Sequence, residues 1–248
     1  MNSISPVILH SVEEMGKAAA DYGASILREM LLTKERVNLV VATGASQFTV
    51  LSNLISQPDI DWSRVHGFHL DEYVGMSGDH PASFCRYLRE RFVEQVPLAS
   101  FEYIRGDCLK PDNECSRLAD AIDGLQLDIA FVGIGENGHL AFNDPPADFE
   151  SDNSYLVVEL DEACRRQQLG EGWFESLEDV PTHAISMSIR QIMKIENIVC
   201  SVPDLRKAKA VKLALQGSVT PDLPASILQQ HQKVKVFLEQ KAASGLSI

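Results

Sequence analysis

The chain is 248 residues long, 45% hydrophobic and 23% charged, the proportions of a globular protein able to bury a substantial core as one domain over residues 1–248. Its net charge of −13 argues against nucleic-acid and anionic-membrane partners, which need basic surfaces, and any anionic ligand must be drawn to a few local cations. No apolar run approaches membrane-spanning length, the opening Met1-Asn-Ser-Ile-Ser-Pro6 has no leader character, and five scattered cysteines (Cys85, Cys108, Cys115, Cys164, Cys200) lack zinc-site spacing, so a cytoplasmic protein with reduced thiols is expected.

Residues 11–33 open with Ser11-x-x-Glu14, a capping-box pattern, and carry apolar residues at helical spacing, which predicts a helix packed on a sheet. Residues 37–42 read as a strand, followed by Thr43-Gly44-Ala45-Ser46 and a helix over 47–55. A Gly-containing turn with Ser at a helix start can hold a phosphate, because free N–H groups and the helix dipole favour an anion there. An ordinary helix cap by Ser46 fits those residues equally well. The glycine spacing matches neither a Walker loop nor a dinucleotide fingerprint. Residues 65–70 are the next strand, and Asp71-Glu72 at its end offer a general base. An extended run would turn only one of these two carboxylates into a crevice. Residues 81–96 are expected as a helix with Arg86, Arg89 and Arg91 on a solvated face, 101–110 as strand and loop, and 113–122 as a helix.

Residues 127–132 read as a buried parallel strand. They run into Phe131-Val-Gly-Ile-Gly-Glu-Asn-Gly-His-Leu-Ala-Phe-Asn-Asp-Pro-Pro146, where Asn137, His139 and Asp144 sit among three glycines. Ligands of an open parallel sheet bind beyond the carboxyl ends of its strands, so these residues at that place read as a catalytic loop. A glycine-rich turn with backbone-capping polar residues is the alternative. Strands follow at 155–160, 184–189 and 195–202, with residues 161–172, carrying Arg165 and Arg166, as a short helix or lid hinged at Gly170 and Gly172. A helix begins at Pro203 with Lys207 in its first turn, where a cation opposes the helix dipole and a ligand role becomes more plausible. Residues 234–238 are the last strand. The alternation predicts a doubly wound, mainly parallel α/β sheet with helices on both faces.

Three segments together resemble the glucosamine-6-phosphate deaminase (isomerase) family: Leu70-Asp-Glu-Tyr-Val-Gly75 followed by His80-Pro81-x-Ser83, the Gly133-Ile-Gly-x-Asn-Gly-His-x-Ala-Phe-Asn-x-Pro145 loop, and Lys207-Ala208. Thr43-Gly44 and Pro224-Ala-Ser-Ile-Leu-Gln229 fit its phosphate loop and C-terminal region, so the resemblance covers almost the whole chain. It implies conversion of an aldose amine phosphate, glucosamine 6-phosphate above all, to a ketose phosphate plus ammonia, without cofactor or metal. Carried over by position, Asp71 moves the proton between C2 and C1, and His139 assists ring opening with Asp144 behind it and Asn137 in the same loop. Thr43, Gly44, Ala45, Ser46 and Lys207 are then the phosphate ligands, with Arg165 and Arg166 the candidates for the family's phosphate-binding arginine.

This sequence departs from the family pattern at four places. Asp144 stands where Glu is commoner, and Asn137 where members have Asp or Asn. Gly44-Ala-Ser46-Gln47 replaces the frequent Gly-Gly-Ser/Thr-Pro, and the segment from Arg165 to Gly172 is longer. A galacto epimer stays open as substrate. The related 6-phosphogluconolactonases share the fold and the Gly-x-Gly-x-x-Gly-His loop, but there the His precedes a Ser-Leu-Phe-Pro type run; a non-catalytic sugar-phosphate sensor is the other alternative. Some family members are allosteric hexamers activated through basic residues after the catalytic loop, so a homo-oligomer fits the resemblance. Here residues 147–158 contain no Lys or Arg and carry Asp148, Glu150 and Asp152, which predicts an enzyme without that regulation.

Overall fold

The computed structural model describes residues 4–247; Met1, Asn2 and Ser3 of the opening stretch, and Ile248, lie outside the described residues. In chain order the elements are β1 (Val7–Leu9), α1 (Val12–Thr33), β2 (Val37–Val41), α2 (Phe48–Leu54), β3 (Val65–His69), β4 (Asp71–Tyr73), α3 (Phe84–Arg91), β5 (Ser100–Glu102), α4 (Pro111–Ile122), β6 (Ile129–Val132), β7 (Tyr155–Glu159), α5 (Glu162–Gly170), β8 (His183–Met187), α6 (Ile189–Ile192), β9 (Asn197–Val202), α7 (Ala208–Gln216) and β10 (Val234–Glu239).

Strand β2 is buried at every residue, as a strand covered by helices on both faces must be. Its alternate side chains go to opposite sides. Leu39 and Val41, with Ile129, Phe131 and Val199, join Met15, Ala20 and Leu27 of α1 in one apolar cluster. Val40, with Ala130, Val132 and Cys200, joins Val211 and Leu215 of α7 in the other. Helix α1 starts where the capping pattern places it, Ser11 Oγ accepting from the Glu14 amide at 3.1 Å. Among the described residues no helix is long and apolar enough to cross a membrane, and all five cysteines are free.

The seven parallel strands lie in the order β1-β10-β9-β6-β2-β3-β5. After β2 the chain adds β3 and β5 on one side; β6 then returns to the other side of β2, and β9 and β10 follow outward. The loops after β2 and β6 therefore leave in opposite directions, the switch point at which such sheets open a crevice.

Three expectations need correcting. The strands at 155–160 and 184–189 do not enter the main sheet: β7 and β8 pair antiparallel with each other, and β8 pairs antiparallel with β4, in a separate sheet of order β4-β8-β7. The expected strand 65–70 ends at His69, and Asp71–Tyr73 departs from it as β4. The helix expected at 81–96 is also shorter, because Ser83 caps α3 by accepting from the Arg86 amide and a 3-10 turn over Val93–Gln95 follows it.

Candidate active site

Thr43, Gly44 and Ser46 from the loop after β2, His139 from the loop after β6, Asp71 and Lys207 line one cavity at the switch point. Helix α5 adds Gln167 and Gln168, and Glu171 follows just past its end.

Asp71 opens β4 opposite Ser186 of β8 and is only 6% exposed. Burial, and then the neighbouring Glu72 carboxylate, push the Asp71 carboxyl up to about 8 against the opposing pull of the Phe142 amide. Glu72 turns away from the cavity, as strand alternation requires. It takes a bond from Ser83 Oγ at 2.6 Å and from the Cys85 amide at 2.9 Å, which fastens β4 to the start of α3.

The stability consequence of the buried Asp71 has a definite sign. A carboxyl that rises from 3.8 to about 8 on folding keeps a proton that the unfolded chain releases, so stability falls as pH rises through that interval. The loss is on the order of 4 kcal/mol by neutral pH. Asp71→Asn removes the titration, so it is expected to melt above the parent at neutral pH, the gap widening until about pH 8. Superimposable melting curves across that range would show that Asp71 is hydrated in solution.

His139 ends the glycine-rich loop. Its amide donates to Asn137 Oδ1 at 3.0 Å, and its ring Nδ1 lies 3.1 Å from Asp144 Oδ1. Asp144 also accepts from Asn137 Nδ2 at 3.0 Å and from the Asp161 amide at 3.0 Å. Burial raises the Asp144 carboxyl, but His139, Asn137 and the Asp161 amide outweigh it and hold it below the usual range. An ionised Asp144 can only accept, so Nδ1 carries a ring proton and points Nε2 away from the carboxylate. The ring needs a glycine beside it, because a Cβ on Gly135 would stand 2.2 Å from His139 Nε2. Cys164, Asp144 and His139 each bring one ligand atom within 4.8 Å of the others, a spacing that a metal ion could use. Hydrogen bonds with each other and with Asn137 already engage His139 Nδ1 and Asp144 Oδ1, so a proton relay describes this pair better.

At the opposite end, Gly44 adopts φ +86°, a left-handed backbone that suits glycine, before the 3-10 turn Ala45–Gln47 leads into α2. Ser46 is 5% exposed, and its Oγ accepts from Gln47 Nε2 at 3.2 Å, which leaves the hydroxyl proton to donate elsewhere. Gln47 Nε2 also reaches the Val132 carbonyl at 3.2 Å and Ser201 Oγ at 3.0 Å, tying the ends of β2, β6 and β9 together. Lys207 closes a 3-10 turn, Leu205–Lys207, immediately before α7, and is 6% exposed. Burial pushes its ammonium down, while Glu171 and Glu136 oppose that through space without a hydrogen bond to it.

A model of the family described as Glucosamine-6-phosphate isomerases/6-phosphogluconolactonase matches residues 10–237. The chain belongs to that family. A relative from an Exiguobacterium species, named glucosamine-6-phosphate deaminase, is 37% identical over 220 residues, 89% of this chain and 85% of its own. A solved structure described as a monomeric glucosamine-6-phosphate deaminase superposes with a TM-score of 0.89 at 30% identity, over 98% of this chain and 100% of the other. A 6-phosphogluconolactonase of Shewanella baltica reaches a TM-score of 0.78 at 19% identity over 96% of this chain and 100% of its own, a likeness of fold alone.

Within the family pattern, the shorter Asp144 still reaches the histidine ring, and Gln47, where many members have proline, becomes the clamp across three strand ends. Arg165 and Arg166 are not brought to the cavity. Arg165 donates to the carbonyls of Leu177 at 2.6 Å and Val180 at 2.9 Å, and Arg166 pairs with Glu162 on the exposed face of α5. The inward face instead carries Gln168, whose Oε1 accepts from Tyr73 Oη at 2.8 Å, and Gln167, whose Oε1 accepts from the Glu136 amide at 2.8 Å. Sequence reasoning passed over Gln47, Asp161, Gln167, Gln168 and Glu171. For the α5 residues a signal was present: Cys164, Gln167, Gln168 and Glu171 recur at intervals of three and four, which marks one helix face.

Proposed function

We infer that this chain is a glucosamine-6-phosphate deaminase, which moves a proton from C2 to C1 of the opened amino sugar phosphate; water then adds to the resulting C2 imine and displaces ammonia, leaving fructose 6-phosphate. The observation that carries this reading is one cavity holding a buried carboxyl, a His–Asp relay and a buried ammonium beside a phosphate-type turn, in a member of a family whose relatives bear that name. Lys207 and the N–H groups of the Thr43-Gly44-Ala45-Ser46 turn hold the phosphate. His139, oriented by Asp144 with Asn137 as brace, shuttles the proton that ring opening delivers to the ring oxygen. Asp71 is the base at C2. The free protein presents it largely protonated at neutral pH, and the substrate's ammonium beside it favours the carboxylate. Binding of the cationic amine thereby prepares the base. The whole chain, residues 1–248, acts as one domain in the cytoplasm.

The test is ammonia release from glucosamine 6-phosphate and its galacto epimer, with 6-phosphogluconolactone hydrolysis measured in parallel. Ammonia from the gluco substrate with an inert lactone is expected. Lactone hydrolysis without ammonia would make the chain a lactonase, and inactivity on all three with retained binding would make it a sensor.

Regulation gives a separate prediction. The interval 147–158 is acidic, and among the described residues the cation paired with it, Arg190, lies 2.5 Å from Asp152 and donates to the Glu150 carbonyl at 3.2 Å. An effector must bind one state better than another to shift it, and no free cation of this interval can anchor a phosphorylated one. Substrate titrations are expected to be hyperbolic with or without N-acetylglucosamine 6-phosphate. A sigmoidal curve straightened by that compound would place an effector site on other residues.

A further inference from the structure

The crevice that is to receive a phosphate dianion already holds an anion. Glu171, directly after α5, lines it together with Thr43, Gly44, Ser46 and Lys207. Its Oε2 stands 3.6 Å from the point a Cβ on Gly44 would occupy, over the turn that offers its N–H groups to a phosphate. Its Oε1 takes a bond from Gln167 Nε2 at 3.3 Å, one turn back on the same helix face. Among the charges facing the buried Lys207 ammonium, Glu171 is the strongest favourable one, ahead of Glu136. No hydrogen bond joins lysine and glutamate, so the two face each other across space that a phosphate oxygen can enter.

A second cation waits outside. Arg206 packs against α5, its Nη1 4.0 Å from the point a Cβ on Gly170 would occupy. It is paired with Glu136 at 3.1 Å and Asp204 at 2.6 Å. Directly after the residue carrying the carboxylate, Gly172 has φ +85° and nothing within 4 Å of its Cβ position, so the chain there is a left-handed turn bordering open space.

We propose that Glu171 is a built-in counter-ion standing where the substrate phosphate goes: it balances Lys207 while the crevice is empty and turns out toward Arg206 when a phosphate enters; the assignment rests on the crevice being a phosphate site. A buried ammonium with no anion beside it is costly, so an internal carboxylate keeps the lysine charged between turnovers. A carboxylate and a phosphate dianion cannot share the turn, because their repulsion at such separations is large even after screening. Only a ligand that binds Lys207 and the turn more strongly than Glu171 does will displace it. Glu171 thereby sets a threshold that favours phosphorylated sugars over weaker anions, and it is a specificity-determining residue.

The probe is inorganic phosphate, titrated calorimetrically into the full chain, into Glu171→Gln and into Lys207→Ala. Glutamine keeps the shape and the bond to Gln167 but loses the charge. Glu171→Gln is expected to bind phosphate about tenfold more tightly than the parent. With glucosamine 6-phosphate the gain should appear as a lower KM and not in kcat. Weaker phosphate binding or a raised KM in Glu171→Gln would overturn the proposal by making Glu171 a substrate ligand. If Lys207→Ala weakens phosphate binding and Glu171→Gln leaves it unchanged, the proposal alone falls. If phosphate binds parent and Lys207→Ala equally, the phosphate site lies elsewhere and both readings fall together.

Discussion

Asp71→Asn is expected to lower kcat by roughly 10²–10⁴-fold, the usual worth of a positioned general base, with little change in KM. Asparagine keeps the size and one acceptor oxygen but cannot take a proton, and the groups proposed to hold the phosphate lie on other loops. The pH profile gives a second readout. The acid limb of kcat/KM reports the free enzyme, where burial and Glu72 hold the carboxyl at about 8. The acid limb of kcat reports the complex, in which the substrate ammonium favours the carboxylate, so it should lie at lower pH. The same variant is expected to melt at a higher temperature than the parent, so lost turnover cannot be mistaken for lost fold. Near-native kcat in the asparagine variant would remove Asp71 from the chemistry. Coincident acid limbs would keep it as the base but remove the coupling to the bound amine.

What was legible in the sequence was what depends on near neighbours. The runs at 37–42, 127–132 and 195–202 are apolar on both faces, and they became the adjacent central strands β2, β6 and β9. The capping pattern at Ser11 and Glu14 marked α1 to the residue. The rest depended on pairing across distance. Nothing in Asp71-Glu72-Tyr73 says that these residues leave the main sheet to meet residues 184–186, more than a hundred positions away. That departure is what buries Asp71 and so raises its carboxyl. The expectation that one carboxylate of the strand-end pair turns into a crevice carried no measure of its burial, because burial is not a local property. Arg165 and Arg166 failed for a related reason. Their charge suggested phosphate ligands, but the helix turns its amides and Cys164 inward and leaves Arg166 outside with Glu162. Lys207 drew notice because it looked wrong locally: a cation at a helix start opposes the dipole, and the structure sets that residue in the cavity wall.

Lys207→Ala carries the second large effect expected. Lys207 is 6% exposed, and its ammonium makes no hydrogen bond to the carboxylates of Glu171, Glu136 or Asp204 that act on it, so its donors are free for a ligand. A charge-assisted bond to phosphate is worth about 1.5–3 kcal/mol net. Its removal should therefore cost roughly 10- to 150-fold in kcat/KM for glucosamine 6-phosphate. Unphosphorylated glucosamine, a poor substrate in any case, should be turned over almost as slowly by the variant as by the parent. Lys207→Met should behave like the alanine variant, since it keeps the aliphatic stem and loses only the charge; a much milder loss would assign part of the alanine effect to an emptied cavity. Because Glu171 faces the same charge, the two positions should not be additive. In the lysine-free background Glu171 meets no opposing cation among the described residues lining the crevice, and Lys207→Ala with Glu171→Gln should recover part of the lost phosphate affinity. Equal losses on phosphorylated and unphosphorylated sugar would show that Lys207 supports the shape of the crevice and that the phosphate is held by other groups.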